Sequence, residues 1–165
     1  MPLTGTLMTS RRIALFSLVA SAVAISSPRL ATSEEFSLPR ARDLRQELAA
    51  AMQKQQPLVV MVSLEGCAFC KIARENYLRS LQRDLGLTIV QIDMGKSNSV
   101  IDFRGAITTH EKQIKKWGIK LAPTLLFFGR EGKELVERLV GGTSSDFYGA
   151  YLDERVAKAI QLSKV

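Results

Sequence analysis

Two cysteines, Cys67 and Cys70, are the entire thiol complement of this 165-residue chain, and they stand two residues apart. Their setting constrains the fold more than any other feature. The preceding run, Leu58-Val59-Val60-Met61-Val62-Ser63-Leu64, is short, apolar and rich in β-branched residues, and it reads as a buried strand. The following run, Lys71 to Leu85, reads as a helix. A strand that hands Cys-Ala-Phe-Cys to a helix start places a thiol beside free backbone N–H groups and the positive end of the helix dipole. Both favour the thiolate, the form that attacks disulfides.

Three other readings of the pair compete with a redox one. A tetrahedral zinc site takes four ligands. The chain holds two cysteines and one histidine, His110, so a metal would need a second chain, and no metal site is expected. A purely structural bridge would close a loop of two residues, where the loss of chain entropy adds little stability. Two buried thiols placed there by chance would not leave Cys67 at the exposed end of a strand. The redox reading accounts best for the spacing and the setting. It calls for no cofactor, because the dithiol itself carries two electrons.

The N-terminus reads as a separate piece. Arg11-Arg12 precede the apolar stretch Ile13 to Ile25, and Ala22-Val23-Ala24 supplies small residues, the pattern of a secretory signal peptide. The stretch is short for a membrane span of about 20 residues, so an uncleaved anchor is the alternative. Residues 1–31 are expected to be the signal or anchor, 32–38 a linker, and 39–165 one domain. The first 31 residues contain three arginines and no acid. Without them 20 basic residues face 16 acids and the formal charge falls from +7 to +4. With no basic block and no interleaved aromatics, nucleic acid is not an expected partner.

Along the remaining chain, Pro39 suits a first helical turn and Leu44, Leu48, Ala51 and Met52 recur at helical spacing. The helix after the cysteines should turn Cys70, Ala73, Tyr77 and Leu81 inward, and Gly86 should end it. Leu87 to Met94 reads as a strand parallel to the first across a helical crossover. Residues 95–107 are turn-rich and aperiodic. Thr108-x-x-Glu111 signals a capped helix running to Trp117, with His110 solvated in its first turn. Leu125 to Phe128 is another buried strand, Gly129 to Lys133 a hairpin turn, and Glu134 to Val140 a returning outer strand. A last helix starting near Thr143 or Ser144 should bury Tyr148, Leu152, Val156 and Ile160. These elements predict an α/β domain with a central mixed four-stranded sheet flanked by helices on both faces.

At this point the residues resemble the thioredoxin superfamily over about residues 40–160. The resemblance rests on the strand–Cys67-Ala68-Phe69-Cys70–helix unit, on Lys120-Leu121-Ala122-Pro123-Thr124 before a strand, on the GREGKE hairpin and on Gly141-Gly142 after the last strand. In detail it is most similar to exported thioredoxin-like proteins of bacterial sulfur-oxidation clusters. The resemblance implies a thioredoxin-like fold, with Cys67 as attacking thiolate, Cys70 as buried resolving thiol, and the two forming the redox disulfide. It implies a cis bond before Pro123, with Ala122, Pro123 and Gly141 forming the substrate groove.

The function so implied is an exported, monomeric thiol–disulfide oxidoreductase of the bacterial periplasm. It would act on protein thiols or disulfides and draw electrons from a membrane donor. The alternative is a redox-silent module of the same fold that holds a partner peptide in the Pro123 groove. Two departures from the family stand out. Glu65-Gly66 replace the tryptophan that usually precedes the first cysteine, and Met61 falls where thioredoxin has its buried acid. Ala68-Phe69 carries no cation or donor side chain, and Glu65 nearby would disfavour a thiolate, so the sequence leans towards a reductant.

Overall fold

A strand buried along its whole length has to be central, and β1 (Leu58–Ser63) is such a strand. The computed structural model describes residues 36–142 and 147–164. In it β1 pairs in parallel with β2 (Thr88–Asp93) and antiparallel with β5 (Thr124–Phe128). β5 pairs in turn with β6 (Leu139–Val140), giving the order β2-β1-β5-β6. The sheet is mixed and four-stranded, as the element pattern predicts. The expected signal or anchor (1–31), most of the linker and the expected start of the last helix at Thr143 or Ser144 lie outside the described residues.

Alternation along β1 builds two cores. Leu58, Val60 and Val62 join Leu126, Phe128 and Ile92 under α1 (Leu44–Gln53) and α4 (His110–Lys116). Val59 and Met61 join Ile89, Leu125 and Phe127 under the cysteine helix and α5 (Tyr148–Ser163). Each fully buried Leu or Phe contributes about 1.5–3 kcal/mol, so the sheet is stabilised from both faces. Leu38 is buried in the second core and Phe36 packs against it.

The cysteine helix runs on through three segments. α2 (Ala68–Ile72) passes into a π-helical stretch, Ala73–Leu78, and then α3 (Arg79–Leu85), with right-handed backbone at both junctions. The Arg79 N–H bonds the carbonyl of Arg74, five residues back. The wider turn brings Leu78 fully inward while Tyr77 is only partly buried, where regular spacing predicts Tyr77 alone. Gly86, at φ 64°, ends the helix as expected.

Elsewhere the local expectations need correction. Pro39 does not start a helix. It lies in an extended strap along β2, where its carbonyl accepts from the Gln91 N–H (2.8 Å) and the Ala41 N–H donates back to Gln91 (2.9 Å). Proline suits that edge, having no N–H to pair. The helix begins instead after Asp43, whose carboxylate accepts from the N–H groups of Arg45 and Gln46.

The segment 95–107, expected to be aperiodic, carries β3 (Ser99–Ile101) and opens β4 (Ile107–Thr109), a hairpin too short to show a period. The helix cap is Thr109, not Thr108. Thr109 is the last residue of β4 and stands next to the helix, and its Oγ1 accepts from the Lys112 N–H (3.3 Å). The returning strand expected over 134–140 pairs with β5 at both ends, through the Glu134–Phe128 bridge and the Leu135 N–H on the Phe127 carbonyl (2.8 Å) and through β6. It is interrupted at 136–138, where Arg138 turns inward, pairing with Glu134 and donating to the Trp117 carbonyl at the end of α4 (2.7 Å).

Asp102 holds the hairpin. Its Oδ1 accepts from the Arg104 and Ala106 N–H groups (both 2.9 Å), and its Oδ2 accepts from the Lys116 ammonium (2.8 Å). The Lys116 donor, opposed by burial and helped by the two backbone donors, keeps this carboxyl below its ordinary range. A depressed folded-state pKa contributes stability that is present above the unfolded value and lost as pH falls through the folded one. Asp102→Ala should therefore cost about 2 kcal/mol at neutral pH. Its deficit against wild type should shrink once the pH drops below about 4, the ordinary aspartate range. Urea melts at pH 7 and pH 3 check this, and an equal deficit at both would refute it.

Candidate functional site

β1 ends at Ser63, and a turn through Leu64, Glu65 and Gly66 delivers Cys67 to the start of α2. Gly66 has φ 73°, a conformation that favours glycine. Cys67 is itself the N-cap of the helix. Its backbone is extended (φ −78°, ψ 108°) and its Sγ accepts from the Cys70 N–H at 3.1 Å. A sulfur in that position collects the unpaired donor of a helix end, which is what lowers a thiol's pKa.

Cys67 and Cys70 are disulfide-bonded, with Cα atoms 5.2 Å apart. Cys70 is 1% exposed and sits in the core with Met61 and Ala73, while Cys67 is half-buried at the surface. One sulfur is reachable and the other is not. The helix geometry separates them, because residues three apart turn to one side while the first still stands at the end.

The other groove residues converge on the same point. The Ala122–Pro123 bond is cis, and the Ala122 carbonyl oxygen lies 3.9 Å from Cys67 Sγ. Thr124 ties this turn by donating to the Leu121 carbonyl (2.8 Å). The Gly141 N–H donates to the Pro123 carbonyl (2.7 Å). Cys67, Cys70, Ala122, Pro123 and Gly141 are thus brought together.

Gly142 belongs with them, although of the Gly141-Gly142 pair only Gly141 was expected in the groove. A Cβ there would stand 2.9 Å from Phe69 Cβ and 3.3 Å from Pro123 Cγ, so only glycine lets the dipeptide and the proline meet. The Gly-Gly pair was the available signal. Leu64, Phe69, Leu121 and Val140, on the segments that carry these residues, are exposed apolar side chains.

The electrostatics differ from the sequence picture. Met61 is fully buried, so no carboxylate lies at its position beneath the pair. Glu65 is exposed and ion-paired with Lys96 across the turn (2.5 Å). That ammonium holds its carboxyl below the usual range and takes up the charge that would have opposed a thiolate. Lys71 sits 3.9 Å from Glu75 one turn on.

The acid that does stand near the site is Asp93, opposite Ser63 on β2. It accepts from Gln91 Nε2 (2.6 Å) and Arg40 Nε (3.0 Å), and Gln91 accepts from Arg74 (3.2 Å). This chain of polar groups lies along a cleft of about 650 Å³ that opens at Cys67.

His110, expected to be solvated, is fully buried behind Asp93. Its Nδ1 accepts from the Asp93 N–H (3.0 Å) and its Nε2 lies 3.1 Å from the Ala41 carbonyl. The neutral ring protonated at Nε2 satisfies both contacts, so His110 is a structural clasp between β2 and the strap.

A family model described as a thioredoxin-like domain matches residues 44–155. Among solved structures the chain is similar to one described as DsbH Oxidoreductase, at 18% identity and a TM-score of 0.53, over 84% of this chain and 96% of that one. It is also similar to the thioredoxin NaTrxh from Nicotiana alata, at 18% identity and 0.48, over 75% and 96%. A third is thioredoxin O2 from Arabidopsis thaliana in the oxidized state, at 18% and 0.45, over 68% and 88%. No curated protein matches the chain. At these identities the likeness to solved structures is one of fold.

Proposed function

The chain belongs to the family of thioredoxin-like domains, and from that premise we propose that it is an exported thiol–disulfide oxidoreductase that reduces disulfides of protein partners. The observation that carries this reading is the asymmetry of the pair: Cys67 accepts a helix-end N–H at the surface while Cys70 is buried behind it. In the reduced form the Cys67 thiolate attacks a substrate disulfide. One substrate sulfur leaves as a thiolate and takes a proton, and the other stays bonded to Cys67. Cys70 then attacks Cys67 Sγ, the second substrate thiol leaves, and the Cys67–Cys70 bond forms. Two electrons pass to the substrate in each cycle.

The exposed apolar side chains Leu64, Phe69, Leu121 and Val140, on the segments that carry the cysteines and the cis-proline, support a protein substrate, since such groups lose water favourably against another chain. The carbonyl of Ala122 lies where an approaching extended peptide could donate to it. We place the protein in the periplasm as a monomer, re-reduced by a membrane donor. That part rests on the N-terminal sequence pattern. If it holds, mass spectrometry of the cell-envelope fraction should find a mature N-terminus near residues 25–34. An intact Met1 in the cytosol would overturn it.

The reducing direction rests on the dipeptide. Ala68-Phe69 adds no charge or side-chain donor to the backbone N–H, which leaves the helix end and the solvent-screened cations around Cys67 as the stabilisers of the reduced thiolate. The potential should then lie nearer about −270 mV than the −120 mV of the strongest oxidants. Equilibration with a thiol redox buffer measures it, and a value above about −150 mV would reverse the direction.

A further inference from the structure

The cleft beside Cys67 lies on the side of the sulfur away from the cis-proline turn, and of the exposed apolar side chains Leu64, Phe69, Leu121 and Val140 it shares only Leu64. None of Ala122, Pro123, Gly141 or Gly142 lines it; it opens on the β2 side of the sulfur. Its charge is uneven. Arg40, Lys71, Arg74 and Lys96 line it against two acids, Glu65 and Asp93. The four cations come from separate places: the strap before α1, both sides of the α2 junction, and the turn after β2. Both acids are already held, Asp93 by Arg40 and Gln91, Glu65 by Lys96. Glu75 pairs with Lys71 from outside the lining (3.9 Å), so four cations face three carboxylates. The cleft therefore keeps a net positive charge at the mouth of the reactive sulfur, without any side chain having to be unpaired.

We propose that this cleft binds a low-molecular-weight disulfide bearing carboxylates, holding one of its sulfurs at Cys67. Its volume of about 650 Å³ falls among small-molecule sites, which run about 300–1,000 Å³. Guanidinium and ammonium groups in a concave site bind carboxylates through charge-assisted hydrogen bonds. They also raise the local concentration of an anion before it reacts.

The step is the exchange already described. Reduced Cys67 attacks one sulfur, an anionic thiol leaves, Cys70 closes the disulfide on Cys67, and the second anionic thiol leaves. The electrons come from the protein's own dithiol, re-reduced between cycles by a donor dithiol. The inference rests on the redox reading above and adds the class of a second substrate.

Single-turnover oxidation of the pre-reduced protein tests it with three disulfides of equal arm length. They are 3,3′-dithiodipropionic acid (anionic), bis(2-hydroxyethyl) disulfide (neutral) and cystamine (cationic). Each rate is divided by the rate of the same disulfide with free dithiothreitol, which removes differences in intrinsic reactivity. At low salt the anionic disulfide should exceed the neutral one by about tenfold, with the cationic one slowest. The preference should fall as salt is raised.

The double variant Arg40→Gln, Lys96→Gln should bring the anionic-to-neutral ratio towards one. Both side chains are largely exposed, and the salt series on wild type reads the same effect without any substitution. Equal normalised rates for all three disulfides, or a preference that survives both salt and the double variant, would overturn the cleft proposal while leaving the redox reading intact. No turnover with any of the three would remove the redox reading and this inference with it.

Discussion

Cys70→Ser protein incubated with envelope proteins should accumulate covalent partners through Cys67, and Cys67→Ser should accumulate none. The first substitution removes the thiol that is 1% exposed and that would release a mixed disulfide. The second removes the sulfur at the helix N-cap. Multiple turnover should fall at least about 10³-fold in both, because each is required for a complete cycle. Stability should change little, since serine is close to cysteine in size and can also cap the helix at position 67. Non-reducing gels and reduction of an insulin-type substrate give the readout. Trapping by Cys67→Ser at the level of Cys70→Ser would invert the roles. Peptide binding by wild type with no turnover at all would favour the redox-silent module.

The second large effect is on stability and concerns His110. The ring is fully buried, and it alone joins the Asp93 N–H to the Ala41 carbonyl. His110→Leu fills much of the space but leaves both backbone groups without a partner. Orphaning a buried donor or acceptor costs about 1–3 kcal/mol each, so a total near 3–4 kcal/mol is expected. That corresponds to a fall in Tm of roughly 10 °C for a domain of this size. His110→Asn should recover part of the loss, because its side-chain oxygen can stand in for Nδ1 towards the Asp93 N–H. Calorimetry of the two variants decides it. A His110→Leu protein as stable as wild type would show that the clasp is not needed.

His110 also marks where the sequence ceased to be legible. A histidine in a first helical turn carries no local sign of burial; its partners lie 17 and 69 residues away. The strands that form the centre were plain, because β1 and β5 are buried on both faces and are apolar at every position but one end each, Ser63 and Thr124. The same holds for the inward stripe of α5, where a 3.6-residue period runs for four turns.

β3 and β4 have three residues each, shorter than any period can be read from. Residues 134–140 have a strand-like composition and pair at both ends, but the middle is interrupted because Arg138 is drawn to the end of another helix, which no local pattern records. At the site the same division holds. Cys67, Cys70 and Pro123 were legible as motifs. The cleft was not, since its four cations converge only once the sheet has formed.

The π-helical stretch behind the cysteines bears on how chains of this kind can differ in length. Along the inner face the fully buried positions run Cys70, Ala73, Leu78, a final step of five residues where an α-helix would take four. The wide turn absorbs one residue more than the regular helix needs. Deleting a residue from the Glu75-Asn76 bulge would let that turn close to an ordinary one, with the cysteines on one side and Tyr77 to Leu85 on the other both keeping their faces. A one-residue gap aligned at 75–76 should therefore leave the faces of both cysteines and of Arg74 in place, whereas the same gap between Cys67 and Ala73 would rotate Cys70 out of the core.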